Sequence, residues 1–159
     1  MPEEKIFYLT EEGLQRIKKE YQNLEELKLA KTKGESPKII YSDELNPEYT
    51  AFQEDLGFLE SRLSELEYIL KNSQLIKAPS KEKQKTVQLG ATVLVSVDGQ
   101  NDEFIIVGHL EANPSIGRIS NESPVGQALL GHRMGDKVVI SSPVKSTYKI
   151  KKIKYERSS

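Results

Sequence analysis

The sequence predicts an α+β protein: an N-terminal antiparallel α-helical coiled-coil hairpin, then an antiparallel β domain carrying one short helix. Three observations lead there. Tyr49, Phe52, Leu56, Leu59, Leu63, Leu66 and Leu70 recur at alternating spacings of three and four, the seam of a coiled coil. Leu14, Ile17, Tyr21 and Leu24 repeat that spacing upstream, so the partner helix lies in the same chain. Beyond residue 86 the pattern changes to short β-branched runs punctuated by Gly, Pro and Asp, which read as strands and turns.

In the first helix Thr10 is a cap, with Glu11 and Glu12 placed against the positive helix end. Its seam continues through Lys28 and Lys31, so the apolar stripe fades before Gly34 and Pro37 signal the stop. Asn46 followed by Pro47 marks the second start, because Asn caps free amides and Pro tolerates the first helical position. Two helices joined by a short loop run antiparallel, which puts the acidic pair Asp43 and Glu44 at the turn. A helix from Pro47 to about residue 73 is on the order of 40 Å long. The element is a rod with carboxylates at its tip.

Residues 77–86, with Pro79, Ser80 and four lysines, show neither apolar period and read as a linker. The expected division is therefore 1–76 hairpin, 77–86 linker and 87–159 β domain. In the last of these, 91–97 is a strand, Asp98 and Gly99 form a hairpin turn, and 103–110 is the return strand. Ser123 and Pro124 fit the cap and first position of a short helix over 123–130, ended by Gly131. Gly135 and Asp136 turn into a strand at 137–142. The chain closes with 147–155, where Tyr148 and Ile150 but also Ile153 and Tyr155 break strict alternation.

Composition narrows the function classes. A chain of 159 residues with 36% hydrophobic and 30% charged residues describes a soluble protein with a modest core. No stretch reaches membrane-spanning length, the N-terminus lacks the pattern of a secretion signal, and there is no cysteine, so the cytoplasm is the expected compartment. The net charge of -1 hides an asymmetry: 10 Lys and Arg against 16 Asp and Glu over residues 1–76, and 13 against 8 over 77–159. An acidic rod is a poor ligand for free nucleic acid, which needs positive charge along its contact surface. His109 and His132 have no spacing suited to a metal site.

Particular runs resemble a known family. Tyr8-Leu9-Thr10-Glu11-Glu12-Gly13-Leu14, Asn46-Pro47-Glu48-Tyr49 and Gly57-Phe58-Leu59-Glu60-Ser61-Arg62-Leu63 are similar to the coiled-coil domain of bacterial GreA/GreB transcript cleavage factors. Gly90-Ala91-Thr92-Val93, Ile105-Ile106-Val107-Gly108, and Ile119-Ser120 through Ser123-Pro124-Val125-Gly126-Gln127-Ala128-Leu129-Leu130-Gly131 to Gly135-Asp136 match the family in order and spacing. The resemblance implies a C-terminal domain of FKBP-like fold that docks on RNA polymerase, with Ser120, Ser123 and Pro124 as the polymerase-binding surface. It implies a coiled coil inserted through the secondary channel, so that the active site that cuts backtracked RNA at its 3′ end remains the polymerase's own. The implied factor is a monomer with no cofactor of its own; Asp43 and Glu44 would assist catalysis by sharing a Mg²⁺ with the polymerase. Lys18, Lys19, Lys28, Lys31 and Lys33 either guide the RNA, as basic residues on the family's rod do, or form an ordinary solvated face.

The tip departs from the family. Where the family commonly reads Gly-Asp-Leu-x-Glu-Asn-Ala-Glu-Tyr, this chain has Tyr41-Ser42-Asp43-Glu44-Leu45-Asn46-Pro47-Glu48-Tyr49, so an ungapped alignment puts Ser42 and Leu45 at the Asp and Glu. A shift of one residue restores Asp43 alone. Three function classes follow: a factor that stimulates cleavage, a factor that binds in the same way but inhibits, and, from the FKBP-like fold, a prolyl isomerase or chaperone-like binding protein. An isomerase pocket calls for clustered aromatics, whereas this half offers Phe104, Tyr148 and Tyr155.

Overall fold

The computed structural model describes residues 5–34, 47–141 and 144–156. In chain order its elements are strand β1 (Phe7–Leu9), helices α1 (Glu11–Lys33) and α2 (Pro47–Lys71), and strands β2 (Ser73–Leu75), β3 (Ala91–Val97), β4 (Gln100–Val107) and β5 (Arg118–Ser120). Helix α3 (Pro124–Leu129) and strands β6 (Lys137–Ile140) and β7 (Ser146–Tyr155) complete the chain. The fold is α+β, and it divides into two compact units, residues 14–72 and residues 1–13 with 73–159.

The unit of residues 14–72 is the helical hairpin. Along α1 the sheltered positions include Leu14, Ile17, Tyr21, Leu24, Lys28 and Lys31, with Gly13 and Glu20 beside them, and along α2 they include Tyr49, Phe52, Leu56, Leu59, Leu63 and Leu66. The seam therefore follows the spacing of the sequence, with one change. Ile69 is more deeply buried than Leu70 at the last turn. Cross-helix pairs give the direction: Glu20 meets Arg62, Lys28 meets Glu60 and Lys31 meets Asp55. Partner numbers fall as α1 numbers rise, which is an antiparallel pair. Pro47 is the first helical residue of α2, where its missing N–H costs nothing. Asn46, read as the cap, and the tip residues Ser42, Asp43, Glu44 and Leu45 lie outside the described residues.

The other unit is built on a five-stranded sheet in the order β5-β4-β3-β7-β6. The β3-β4, β3-β7 and β6-β7 pairs are antiparallel, and β5 adds to β4 in parallel. Asp98 and Gly99 both take positive φ, 51° and 80°, the two-residue hairpin turn whose twist matches the strands it joins. Because that turn is only two residues long, the return strand starts at Gln100 rather than 103, and it stops at Val107. Val87, Val93, Val95, Ile106, Leu129 and Ile150 are the centre of a core on which α3 closes, with Val125 and Ala128 at its margin. In β7 the register slips between Leu94 opposite Lys152 and Val95 opposite Ile150, so Lys151 is an extra residue. That bulge switches the inward face from Tyr148 and Ile150 to Ile153 and Tyr155, which accounts for the broken alternation.

The expected boundary at residue 76 shifts. β1 pairs with β2 in parallel, Phe7 opposite Ser73 and Leu9 opposite Leu75, and Ile76 N–H donates to the Leu9 carbonyl at 2.8 Å. The first thirteen residues and those from 73 onward thus belong to the sheet-bearing unit. Residues 77–86 belong to it as well. Gln84 donates to the Pro79 carbonyl at 2.8 Å, a short 3₁₀ turn spans Lys83–Lys85, and the Tyr155 hydroxyl holds both the Thr86 carbonyl and the Gln88 N–H. Burial raises the pKa of Tyr155, against the opposing pull of the Gln88 amide.

Candidate functional site

Ser120, Ser123 and Pro124 come together in one turn between β5 and α3. β5 delivers Ser120, whose Oγ accepts from Glu122 N–H at 3.0 Å and whose carbonyl accepts from Ser123 N–H at 3.0 Å and from the Ser123 hydroxyl at 2.7 Å. Ser123 Oγ in turn accepts from Gly126 N–H at 3.1 Å, which makes it the cap of α3, and Pro124 fills the first helical position. Asn121 N–H is tied to the Val107 carbonyl at 2.9 Å, so the turn is fastened to β4. The Ser123 hydroxyl both donates and accepts inside the turn, and the Ser120 hydroxyl accepts there. Pro124 and Glu122 are the side chains it presents to solvent, Glu122 in a long ion pair with Lys5 at 3.8 Å. The arrangement offers a rigid knob rather than a nucleophile, since neither hydroxyl has a base beside it.

The hairpin presents a second surface. Arg62 donates from Nε and Nη2 to the two carboxylate oxygens of Glu20 at 2.7 and 3.1 Å and also meets Glu65 at 3.0 Å; these carboxylates hold its pKa above the ordinary arginine range. Tyr21 donates to Glu67 at 2.7 Å, and that bond, with help from Glu25, pushes the phenol pKa up. Lys31 reaches Asp55 at 3.1 Å and lies 5.5 Å from the centre of the Phe52 ring, while Lys28 pairs with Glu60 at 3.6 Å. Lys28 and Lys31 are thus engaged across the hairpin, whereas Lys18, Lys19 and Lys33 are exposed. Between the helices Leu24, Leu27, Ala30, Phe58 and Leu59 line an apolar groove.

Sequence reasoning missed the Glu20–Arg62 clamp, although Arg62 stood in one of the family-like runs. The signal was available: Glu20 and Arg62 each flank a seam position. The two histidines also resolve. His109 packs its ring 5.5 Å from Phe7, and His132 Nδ1 lies 3.2 Å from Asp136 Oδ2 in the turn before β6. Among the described residues no three His, Cys, Asp or Glu side chains are grouped as a metal site would require.

Residues 7–75 match the family model described as transcription elongation factor, N-terminal, and residues 81–155 match transcription elongation factor, GreA/GreB, C-terminal. The chain belongs to the GreA/GreB family of transcription elongation factors. Transcription elongation factor GreA of Thermomicrobium roseum is 41% identical over 141 residues, covering 85% of this chain and 88% of that protein. The GreA of Halalkalibacterium halodurans is 35% identical over 154 residues, covering 90% and 92%. Among solved structures, GreA factor homolog 1 of Thermus thermophilus aligns over 94% of this chain and 99% of its own, at 26% identity and a TM-score of 0.41. This elongation factor therefore carries both family domains on one chain, and among its described residues no helix is long and apolar enough to cross a membrane.

Proposed function

We propose that this elongation factor docks on RNA polymerase through its sheet-bearing unit, enters the secondary channel with the helical hairpin, and stimulates the polymerase's own cleavage of backtracked RNA. The observation that carries the reading is the match of both halves to the elongation-factor family, residues 7–75 and 81–155. The hairpin supports it: helices of 23 and 25 residues give a reach on the order of 35 Å, with the acidic segment between them. In this reading the chain is an activator rather than an enzyme. It works as a monomer in the cytoplasm, with the polymerase and the RNA 3′ end as partners.

Asp43 and Glu44 are the residues that would hold the shared Mg²⁺. Their donor set is two carboxylates with no His or Cys between residues 35 and 46, which suits a hard cation and is too small to be a complete site. A Mg²⁺ held jointly with the polymerase supplies charge to activate water and to stabilise the leaving oxygen. The chain's own contribution is to deliver two negative charges and to exclude bulk water by filling the channel. A second reading has its own observation: Ser42 and Leu45 occupy the places of the family's Asp and Glu, which favours a factor that occludes the channel and slows synthesis.

The deciding experiment incubates backtracked elongation complexes with the protein and Mg²⁺ and sizes the RNA. Shortened RNA that disappears with the double change Asp43→Asn, Glu44→Gln, at unchanged polymerase affinity, supports stimulation, because the amides keep size and lose charge. Of the single changes, Asp43→Asn is expected to cost more. Absence of cleavage with slowed nucleotide addition establishes the inhibitor instead. For docking, Pro124→Asp is the probe, since Asp is well tolerated in a first helical turn while the exposed knob changes character. Undiminished polymerase affinity in that variant would remove the 120–124 turn from the interface.

A further inference from the structure

Three contacts converge on the chain where it enters the rod. Gly108 lies so close to β1 that a Cβ there would overlap the carbonyl oxygen of Tyr8. One residue on, the His109 ring stacks at a tilt against Phe7, centroids 5.5 Å apart. At the end of the same short turn, His109–Glu111, the Glu111 carboxylate accepts from Thr10 N–H at 2.7 Å through Oε2 and from the Thr10 hydroxyl at 2.6 Å through Oε1. Thr10 Oγ1 itself accepts from Gly13 N–H at 3.1 Å. The result is a relay from a free amide of the first helical turn, through the capping hydroxyl, to a full negative charge at the positive end of α1. Gly13 is part of the fit. A methyl group there would stand 2.5 to 2.7 Å from the Glu111 carboxyl carbon and both its oxygens, closer than such atoms approach.

We infer that residues 108–111 form a bracket that fixes the first turn of α1, and that Glu111 is its positioning residue. The capping chemistry explains why an acid is needed: an amide could accept only one of the two Thr10 hydrogen bonds at its oxygen, and its NH₂ would face the second donor. The consequence lies far away. α1 extends on the order of 30 Å beyond this turn, so a tilt of about 5° at its start displaces the far end by about 3 Å. Misplacement by about 1 Å is already costly in an active site. That consequence rests on the proposed action at the polymerase; the bracket itself does not.

The test uses the full chain. Glu111→Ala should speed amide exchange at Thr10 and Gly13 about ten- to a hundredfold, the cost of losing charged hydrogen bonds, and Glu111→Gln should fall between it and wild type. Gly13→Ala should lower Tm in the wild-type background, where the methyl displaces the carboxylate, and raise it in the Glu111→Ala background, where Ala is simply the better helix former. A structural role without fit would give the same sign twice. With polymerase, Glu111→Gln should lower the maximal effect at saturating factor, cleavage or slowing as wild type shows, about tenfold, with the half-saturating concentration within about twofold. Unchanged exchange in Glu111→Ala, or no reversal of the Gly13→Ala effect, overturns the bracket. Faster exchange with an unchanged maximal effect overturns the positioning role. If the wild-type chain does nothing to polymerase, the proposed function fails, and the bracket is still decided by exchange and by the Tm reversal.

Discussion

The hairpin and the sheet-bearing unit solve the same stability problem in opposite ways. The sheet unit concentrates its apolar contact in a core where Val93, Val95, Ile106, Leu129 and Ile150 lose essentially all contact with water. The hairpin has a seam: Leu14, Ile17, Leu24, Leu56 and Leu59 stay partly accessible, and among its described residues deep burial is confined to Leu63, Leu66 and Ile69. What the seam lacks in burial is supplemented by polar clamps between the helices, Glu20 to Arg62 and Tyr21 to Glu67 among them. Such surface contacts are each worth little. The lesson is that a slender rod can be long or well buried but not both, and that its ordering depends on many small terms.

The largest effect should therefore come from the sheet. Ile150→Ala removes a fully buried side chain at the centre of the core and is expected to cost about 2–5 kcal/mol. Chemical denaturation followed by amide exchange should show protection lost across β3, β6 and β7. A loss below about 1 kcal/mol would mean that the sheet core is no more tightly built than the seam.

Next comes Leu59→Asp. A carboxylate at a half-buried seam position loses part of its hydration with no partner, and a cost of about 1–2 kcal/mol is expected. Exchange should quicken along α1 and α2 while the β3 and β4 amides keep their protection, because stability is distributed region by region. Equal loss in both units would contradict the contrast, and an unchanged melting curve would remove Leu59 from the seam.

Much of the hairpin was legible because a single period specifies it. Seven apolar residues of α2 and four of α1 name the seam, and only the choice between Ile69 and Leu70 at the last turn needed the structure. Helix starts at Thr10, Pro47 and Ser123 were equally readable, since capping is local chemistry. The sheet unit was harder. β1, β2 and β5 have three residues each, too few to display a period, and β1 and β2 pair across a separation of 66 residues. The bulge at Lys151 left a trace in the broken alternation of β7, which had no unique reading without the register. For the candidate site, Ser123 and Pro124 were legible as a helix start. Glu111 was not, because its partner Thr10 is 101 residues distant and already had a sufficient local role.

A smaller effect tests the clamps. Arg62→Lys keeps the charge but loses the fork that grips both oxygens of Glu20, and it is expected to cost about 0.5 kcal/mol at low ionic strength, shrinking as salt is added. The measurement is the difference in Tm across a salt series. A difference that stays constant with salt would point to packing of the arginine stem rather than to the ion pair.

The smallest effect belongs to Asp136, in the turn that leads into β6. Its Oδ2 accepts from Arg133 N–H at 2.9 Å and lies 3.2 Å from His132 Nδ1, and these contacts, the backbone bond first, lower its pKa from the ordinary aspartate value. A carboxyl group with a lowered folded pKa adds stability that is fully present above its unfolded value of about 4 and is lost as pH falls through the folded value. Asp136→Asn cannot titrate, so the Tm difference between wild type and variant should be positive near neutrality, shrink below about pH 4 and vanish in stronger acid. Asn retains an oxygen for the Arg133 amide, which keeps the neutral-pH difference modest. A difference that persists in acid would show that the turn depends on the shape of the aspartate rather than on its charge.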